Sequence, residues 1–225
     1  EDVFLLNYND EKIVDVDFTA DMEERLAWLD KEYLSAFDAI KIDSELHVQK
    51  PFEKMIEKEV EYPVSAQQGL ENKTYISYNV AMPAGVSVVE SWGLNIVTQV
   101  LLEAAGAPLK EALLKEKIGE VINGNYESSI LQPVLGISAD NANVSDKDRF
   151  VVTIEKNLKE IIEKKIDRKA LQASINRAEF KLREADYGGM SKGLIYALSC
   201  LDTWLYNDND PFSTLELTKI FDELK

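Results

Sequence analysis

The chain has 225 residues, 45% of them hydrophobic and 29% charged, and carries a net charge of −16. That length suffices for one large domain, or for one domain and part of another. The acidic excess argues against nucleic acid and anionic membrane surfaces as partners, because neutralising phosphates takes clustered Lys and Arg; a solvated acidic surface, or attraction of cationic peptides, accounts for it.

No apolar run approaches the roughly 20 residues that a membrane span needs. The start, Glu1-Asp2-Val3-Phe4, lacks the basic segment and cleavage pattern of a signal peptide. A cytoplasmic location is expected, organellar if the source is eukaryotic. The single cysteine, Cys200, cannot form an internal disulfide and reads as an inert buried thiol. The single histidine, His47, limits chemistry most. A zinc peptidase site takes two histidines four residues apart and a carboxylate, and this chain cannot supply them.

Residues 12–18 alternate and are β-branched, which predicts a strand. Thr19 or Asp21 then caps a helix whose stripe is Met22, Leu26, Leu29, Tyr33 and Phe37, with Glu23 and Glu24 at the favourable end of its dipole. Residues 38–56, with Pro51, read as a connector and place a domain boundary near residue 50. Two strand-like runs follow, Val60 to Val64 and Thr74 to Met82, with a turn at Gln67 to Asn72.

Ser87 caps a helix with the stripe Leu94, Val97, Leu101 and Ala104, stopped by Gly106. Pro108 opens a helix over 108–117. Strands are expected over about 118–127 and 129–139, with Asn123-Gly124 as a hairpin signal. Asn141 to Ser145 is a polar break, after which Ser145 or Asp146 caps a long helix carrying Phe150, Val151, Ile154, Leu158, Ile161 and Ile162. Asp167 opens the next helix, with Leu171, Ile175, Ala178 and Leu182. Gly188-Gly189 turns the chain into a helix with Leu194, Leu198, Leu201 and Leu205 on one face. Pro211 ends it, and Ser213 or Thr214 caps a last helix through Lys225. Grouped rather than alternating elements predict an α+β fold, a mainly antiparallel sheet with helices on one face.

No complete catalytic constellation is visible. His47 has no histidine or cysteine partner, and Glu57, Glu59, Glu61, Asp208 and Asp210 read as a solvated face. There is no Gly-x-Ser-x-Gly elbow, Walker loop or Gly-x-Gly-x-x-Gly turn. Arg177 and Arg183 offer forks for a peptide carboxylate, or pair with acids such as Glu179 and Glu184.

Several runs in order resemble the presequence-protease branch of the pitrilysin zinc metallopeptidases (family M16, subfamily C). They are Met22-Glu23-Glu24-Arg25-Leu26-Ala27-Trp28-Leu29 onward to Phe37, Gln49-Lys50-Pro51-Phe52, Thr74 to Met82, Leu101 to Leu113, and above all Phe180 to Leu217 with its Gly188-Gly189 turn and Leu201-Asp202-Thr203-Trp204-Leu205-Tyr206 run. The resemblance implies a LuxS/metallohydrolase-like (pitrilysin-type) domain. Residues 1–50 would be the strand, helix and linker that end a catalytic domain, and 51–225 a non-catalytic second domain. The parent would be a zinc-dependent endopeptidase of short unfolded peptides. Its zinc would sit on an inverted His-x-x-Glu-His motif that is absent here, so this segment would bind no metal and be inactive alone. The segment would form chamber wall beside the remaining domains of the same polypeptide. It would also hold a substrate-anchoring strand, matched by position to Ile130, Leu131, Val134, Leu135 and Ile137, facing the turn at Gly106. The alternative is a free-standing non-catalytic binding or scaffold protein on the same fold.

Overall fold

The computed structural model describes residues 3–5, 14–16, 22–41, 43, 45–65, 67 and 69–225, the first two segments as backbone only. The chain divides into two compact units, residues 1–46 and 47–225.

In the first unit, β1 (Val3–Leu5) pairs antiparallel with β2 (Val14–Val16), Val3 opposite Val16 and Leu5 opposite Val14. β2 falls within the strand expected over 12–18; the cap candidates Thr19 and Asp21 lie outside the described residues. Helix α1 (Met22–Glu32) has Glu23 and Glu24 in its first turn. Its apolar spacing continues to Phe37, yet the α-helix stops and a single 3-10 turn, Leu34–Ala36, follows. At this break the Ser35 hydroxyl donates to the Lys31 carbonyl at 2.9 Å. No residue of α1 is buried.

The second unit is built on a three-stranded antiparallel sheet in the order β3 (Thr74–Ala81), β5 (Val134–Ala142), β4 (Val121–Glu127). β5 is therefore central, with Tyr78 and Gly124 on either side of Ile137. Between β3 and β4 the chain makes α2 (Val88–Thr98), a π-helical turn (Gln99–Glu103) and α3 (Pro108–Lys115). After β5 come α4 (Lys147–Lys164), α5 (Arg168–Glu184), α6 (Lys192–Trp204) and α7 (Leu217–Leu224).

Sequence explains most of these starts. The Ser87 hydroxyl accepts from the Glu90 N–H at 3.2 Å and the Glu90 carboxylate accepts from the Ser87 N–H at 3.0 Å, a complete capping box. Asp167 accepts from the Lys169 N–H at 2.7 Å, and Ser191 from the Leu194 N–H at 3.3 Å. Gly106 (φ +73°) and Gly188 (φ +63°) take the left-handed turns for which glycine was expected.

Three expectations are corrected, and one holds in part. Val60 to Val64 forms no strand. Asn123-Gly124 lies inside β4, and the β4–β5 connection is residues 128–133. Asp146 stands at the N-cap of α4 as expected, but its side chain makes no capping bond there; it accepts from the Asn143 N–H at 2.9 Å, in a 3-10 turn (Val144–Asp146) that Asn143 begins. Ser213 and Thr214 cap nothing; they sit in a 3-10 turn, and the Thr214 hydroxyl donates to the Ser199 carbonyl at 3.3 Å.

Two apolar clusters hold the unit together. In the first, Ile76, Ile122, Ile137 and Ala139 of the sheet meet Leu101, Leu102, Leu109, Leu113, Phe150 and Ile154 of the helices. In the second, Ile96 with Trp92 on α2 meets Ile175 and Ala178 on α5 and Phe221 on α7. Helix α2 is thus apolar on two sides, because it lies between the sheet and an outer helical layer.

Candidate functional site

The sheet of the second unit has two unlike faces. Even positions of β3 and β4 (Ile76, Tyr78, Ile122, Tyr126) point to the helices and odd positions point away, as a period of two dictates. Register assembles the odd positions into rows. Ser77, Ser138 and Asn123 lie side by side, and so do Asn79, Gly136 and Asn125. The four outer residues of these rows are exposed. Gly136 is buried although it faces the open side, because the Asn125 and Asn79 amides fold over it; a Cβ there would meet the Asn125 Oδ1 first and the Asn79 Oδ1 at 3.1 Å.

The face is internally hydrogen-bonded. Asn79 Nδ2 donates to Ser77 Oγ at 3.1 Å, and Asn123 Nδ2 donates to Asp140 Oδ2 at 3.2 Å. At one end Glu127 accepts from the Ser129 hydroxyl and from the Ser129 N–H at 3.0 Å, and these bonds, the hydroxyl's first, hold its carboxyl below the usual carboxylate range. The result is a wetted surface of amides, hydroxyls and two carboxylates. It can hydrogen-bond a peptide main chain, but it presents no nucleophile beside a base.

Beyond the end of the sheet where β4 passes into β5 lies a cleft of about 910 Å³. Its walls include Ser87 and Trp92 of α2, Ile130 and Leu131 of the connection, and Tyr196 and Tyr206 at α6.

The six residues expected to bind substrate are dispersed. Ile130 and Leu131 line the cleft. Val134 lies opposite both Ala81 and Glu127, in line with the open rows. Ile137 is in the buried core, and Leu135, two residues earlier on β5, shares its face. Gly106 lies in the turn between the π-helical turn and α3, and the nearest atom to a Cβ there belongs to Glu111. Residues 134–137 already have a strand partner on each side, Ala81 to Tyr78 on β3 and Glu127 to Gly124 on β4.

His47 is exposed. Arg183 pairs with Glu179 at 2.8 Å, as the ion-pair reading expected, and Glu179 also meets Lys225 at 2.7 Å. Lys225 first and Arg183 second hold the Glu179 carboxyl below its usual range. Glu57 pairs with Lys147 at 2.8 Å. The open rows were missed in the sequence. The signal was there in Tyr75-Ser77-Asn79 against Ile76-Tyr78-Val80, and was hidden on β4 by the turn-like Asn123-Gly124 pair.

The second unit is thus an open-faced α+β layer, with helices stacked on one side of the sheet and a polar face on the other. Residues 19–178 match the family profile described as the peptidase M16 inactive domain, and the chain belongs to that family. Protein HypA of Clostridium perfringens is 35% identical over 205 residues, covering 91% of this chain but 21% of its own length. Presequence protease 1, chloroplastic/mitochondrial, of Arabidopsis thaliana is 28% identical over 198 residues, covering 86% of this chain and 18% of its own. The chain thus spans about a fifth of the length of these relatives. Two solved structures share the fold at a TM-score of 0.54 over 67% of this chain. One is a zinc protease candidate from Bordetella pertussis (15% identity, 80% of that chain). The other is the inactive peptidase domain of such a protein from Bordetella parapertussis (14% identity, 77% of that chain).

The family's zinc finds no fit here. Among the described residues no three His, Cys, Asp or Glu side chains are grouped to hold a metal ion, so no metal-dependent step is drawn on this chain. Among the described residues no helix is long and apolar enough to cross a membrane.

Proposed function

We propose that this chain is a non-catalytic part of a zinc-dependent endopeptidase that degrades short unfolded peptides, with residues 51–225 serving as chamber wall and residues 1–50 ending the catalytic domain. The observation that carries this reading is the bare polar face of the sheet, with its rows Ser77–Ser138–Asn123 and Asn79–Gly136–Asn125. Amides and hydroxyls at strand spacing exchange hydrogen bonds with any passing main chain and grip no particular side chain. That suits a wall against which peptides of many sequences must slide. The net charge of −16 favours basic peptides by long-range attraction. Zinc and the water-activating carboxylate are supplied by the rest of the polypeptide.

Anchoring of substrate by strand addition falls to the outer edges of β3 and β4, since β5 is paired on both sides. Ile130 and Leu131 remain side-chain contacts at the cleft mouth.

The test is peptide protection in the full gene product. With Cys200 replaced by Ser, Ser77→Cys and Asn125→Cys are labelled by a thiol reagent with and without a saturating basic peptide, the zinc having been stripped to prevent cleavage. Bound peptide should slow labelling at both positions and leave Ile162→Cys, on the exposed side of α4, unchanged. Equal rates with and without peptide would remove the sheet face from the chamber.

A further inference from the structure

Helix α6 has no buried residue, although only two of its thirteen residues are charged. One of its sides, with Tyr196, Ser199, Asp202 and Thr203, looks onto the cleft. The opposite stripe faces outward: Leu194 is 49% exposed, Leu198 47%, Leu201 50% and Leu205 71%, with Trp204 at 54% one turn beyond Leu201. Spacings of four, three and four make this one continuous band. The sequence shows the stripe on one face of the helix, and the structure leaves that face bare. α6 is nonetheless a defined element, capped by Ser191 and tied through the Ser199 carbonyl to the Thr214 hydroxyl. A contiguous apolar band on an ordered helix marks an interaction surface.

We infer that the Leu194–Leu198–Leu201–Leu205 stripe of α6 is the docking surface for another domain of the same polypeptide, which meets it with an apolar, sparsely charged face. This rests on the reading of the chain as one part of a longer M16 protein. Two observations choose this occupant over a second copy. Relatives aligned over 86–91% of this chain are aligned over only 18–21% of their own length, so most of their polypeptide lies beyond the aligned region. Each copy also carries a net charge of −16, so association of two copies works against mutual repulsion. A domain on the same chain has no such barrier of dilution, because its tether holds it at high effective concentration.

The experiment is thiol accessibility in the native full gene product. Leu198→Cys and Leu205→Cys are made separately in a Cys200→Ser background, with Ile162→Cys, at a position 78% exposed on α4, as the open reference. The stripe positions should label at least tenfold more slowly than the reference, at a rate independent of protein concentration. Rates equal to the reference overturn the inference and leave the multidomain reading standing. Protection that grows with protein concentration assigns the surface to a second copy and also overturns it. A gene product whose mass equals that of these 225 residues overturns the multidomain reading, and the inference falls with it. Two independent positions guard against local misfolding at either.

Discussion

At the scale of single residues, Asp146 does the most with least exposure. Its side chain is 5% exposed, accepts from the Asn143 N–H and pairs with Arg149, whose Nη1 in turn donates to the Glu116 carbonyl at 3.2 Å. One carboxylate thus shapes the entry to α4 and aims a guanidinium at the end of α3. Burial opposes its ionisation, but the Asn143 N–H and Arg149 outweigh that and hold the carboxyl below its usual value. A depressed folded value means that the stabilisation is complete above the unfolded value near 4 and is lost as pH falls through the folded one. Asp146→Ala should cost on the order of 2 kcal/mol at neutral pH, by urea denaturation. Asp146→Asn should flatten the loss of stability on acidification below about pH 4; an unchanged acid slope would show that the carboxylate is not what titrates.

At the scale of elements, the π-helical turn and β4 explain each other. The turn presents Leu102 to the sheet, and a Cβ on Gly124 would lie 2.9 Å from the Leu102 Cβ, closer still to its Cδ1. That is why a glycine sits in mid-strand, and why Asn123-Gly124 imitates a hairpin without being one. Gly124→Ala should destabilise by about 1–3 kcal/mol, and most of the loss should vanish in a Leu102→Ala background, as a double-mutant cycle would show. Gly136→Ala, whose neighbours are mobile amide tips, should cost distinctly less by the same measurement. Helices were legible wherever caps and periodicity agreed, as at Ser87, Asp167 and Pro108. Strand ends and the open rows were not, because they depend on register between segments far apart in sequence. The stripe of α6 was legible as a stripe, but periodicity says which side is apolar and not what covers it.

At the scale of the whole molecule, 41 acidic residues against 25 basic ones leave repulsion that the visible ion pairs, such as Lys147–Glu57 and Lys164–Glu160, only locally offset. Raising NaCl from about 0.01 M to about 1 M shortens the Debye length from roughly 30 Å to 3 Å, and the melting temperature should rise with it. A melting temperature that falls would mean that exposed ion pairs outweigh the net charge. The order of the strands carries a further consequence. β3 and β4 are the two edges of the sheet, and both precede the central strand β5 in the chain. On the ribosome, therefore, the borders emerge before the middle, and β3 waits unpaired while two helices and a second border strand are made. Sheet assembly becomes a late, long-range event set by the arrival of residues 134–142. Until then the newborn chain offers an open strand to its neighbours, a window in which a chaperone has something to hold.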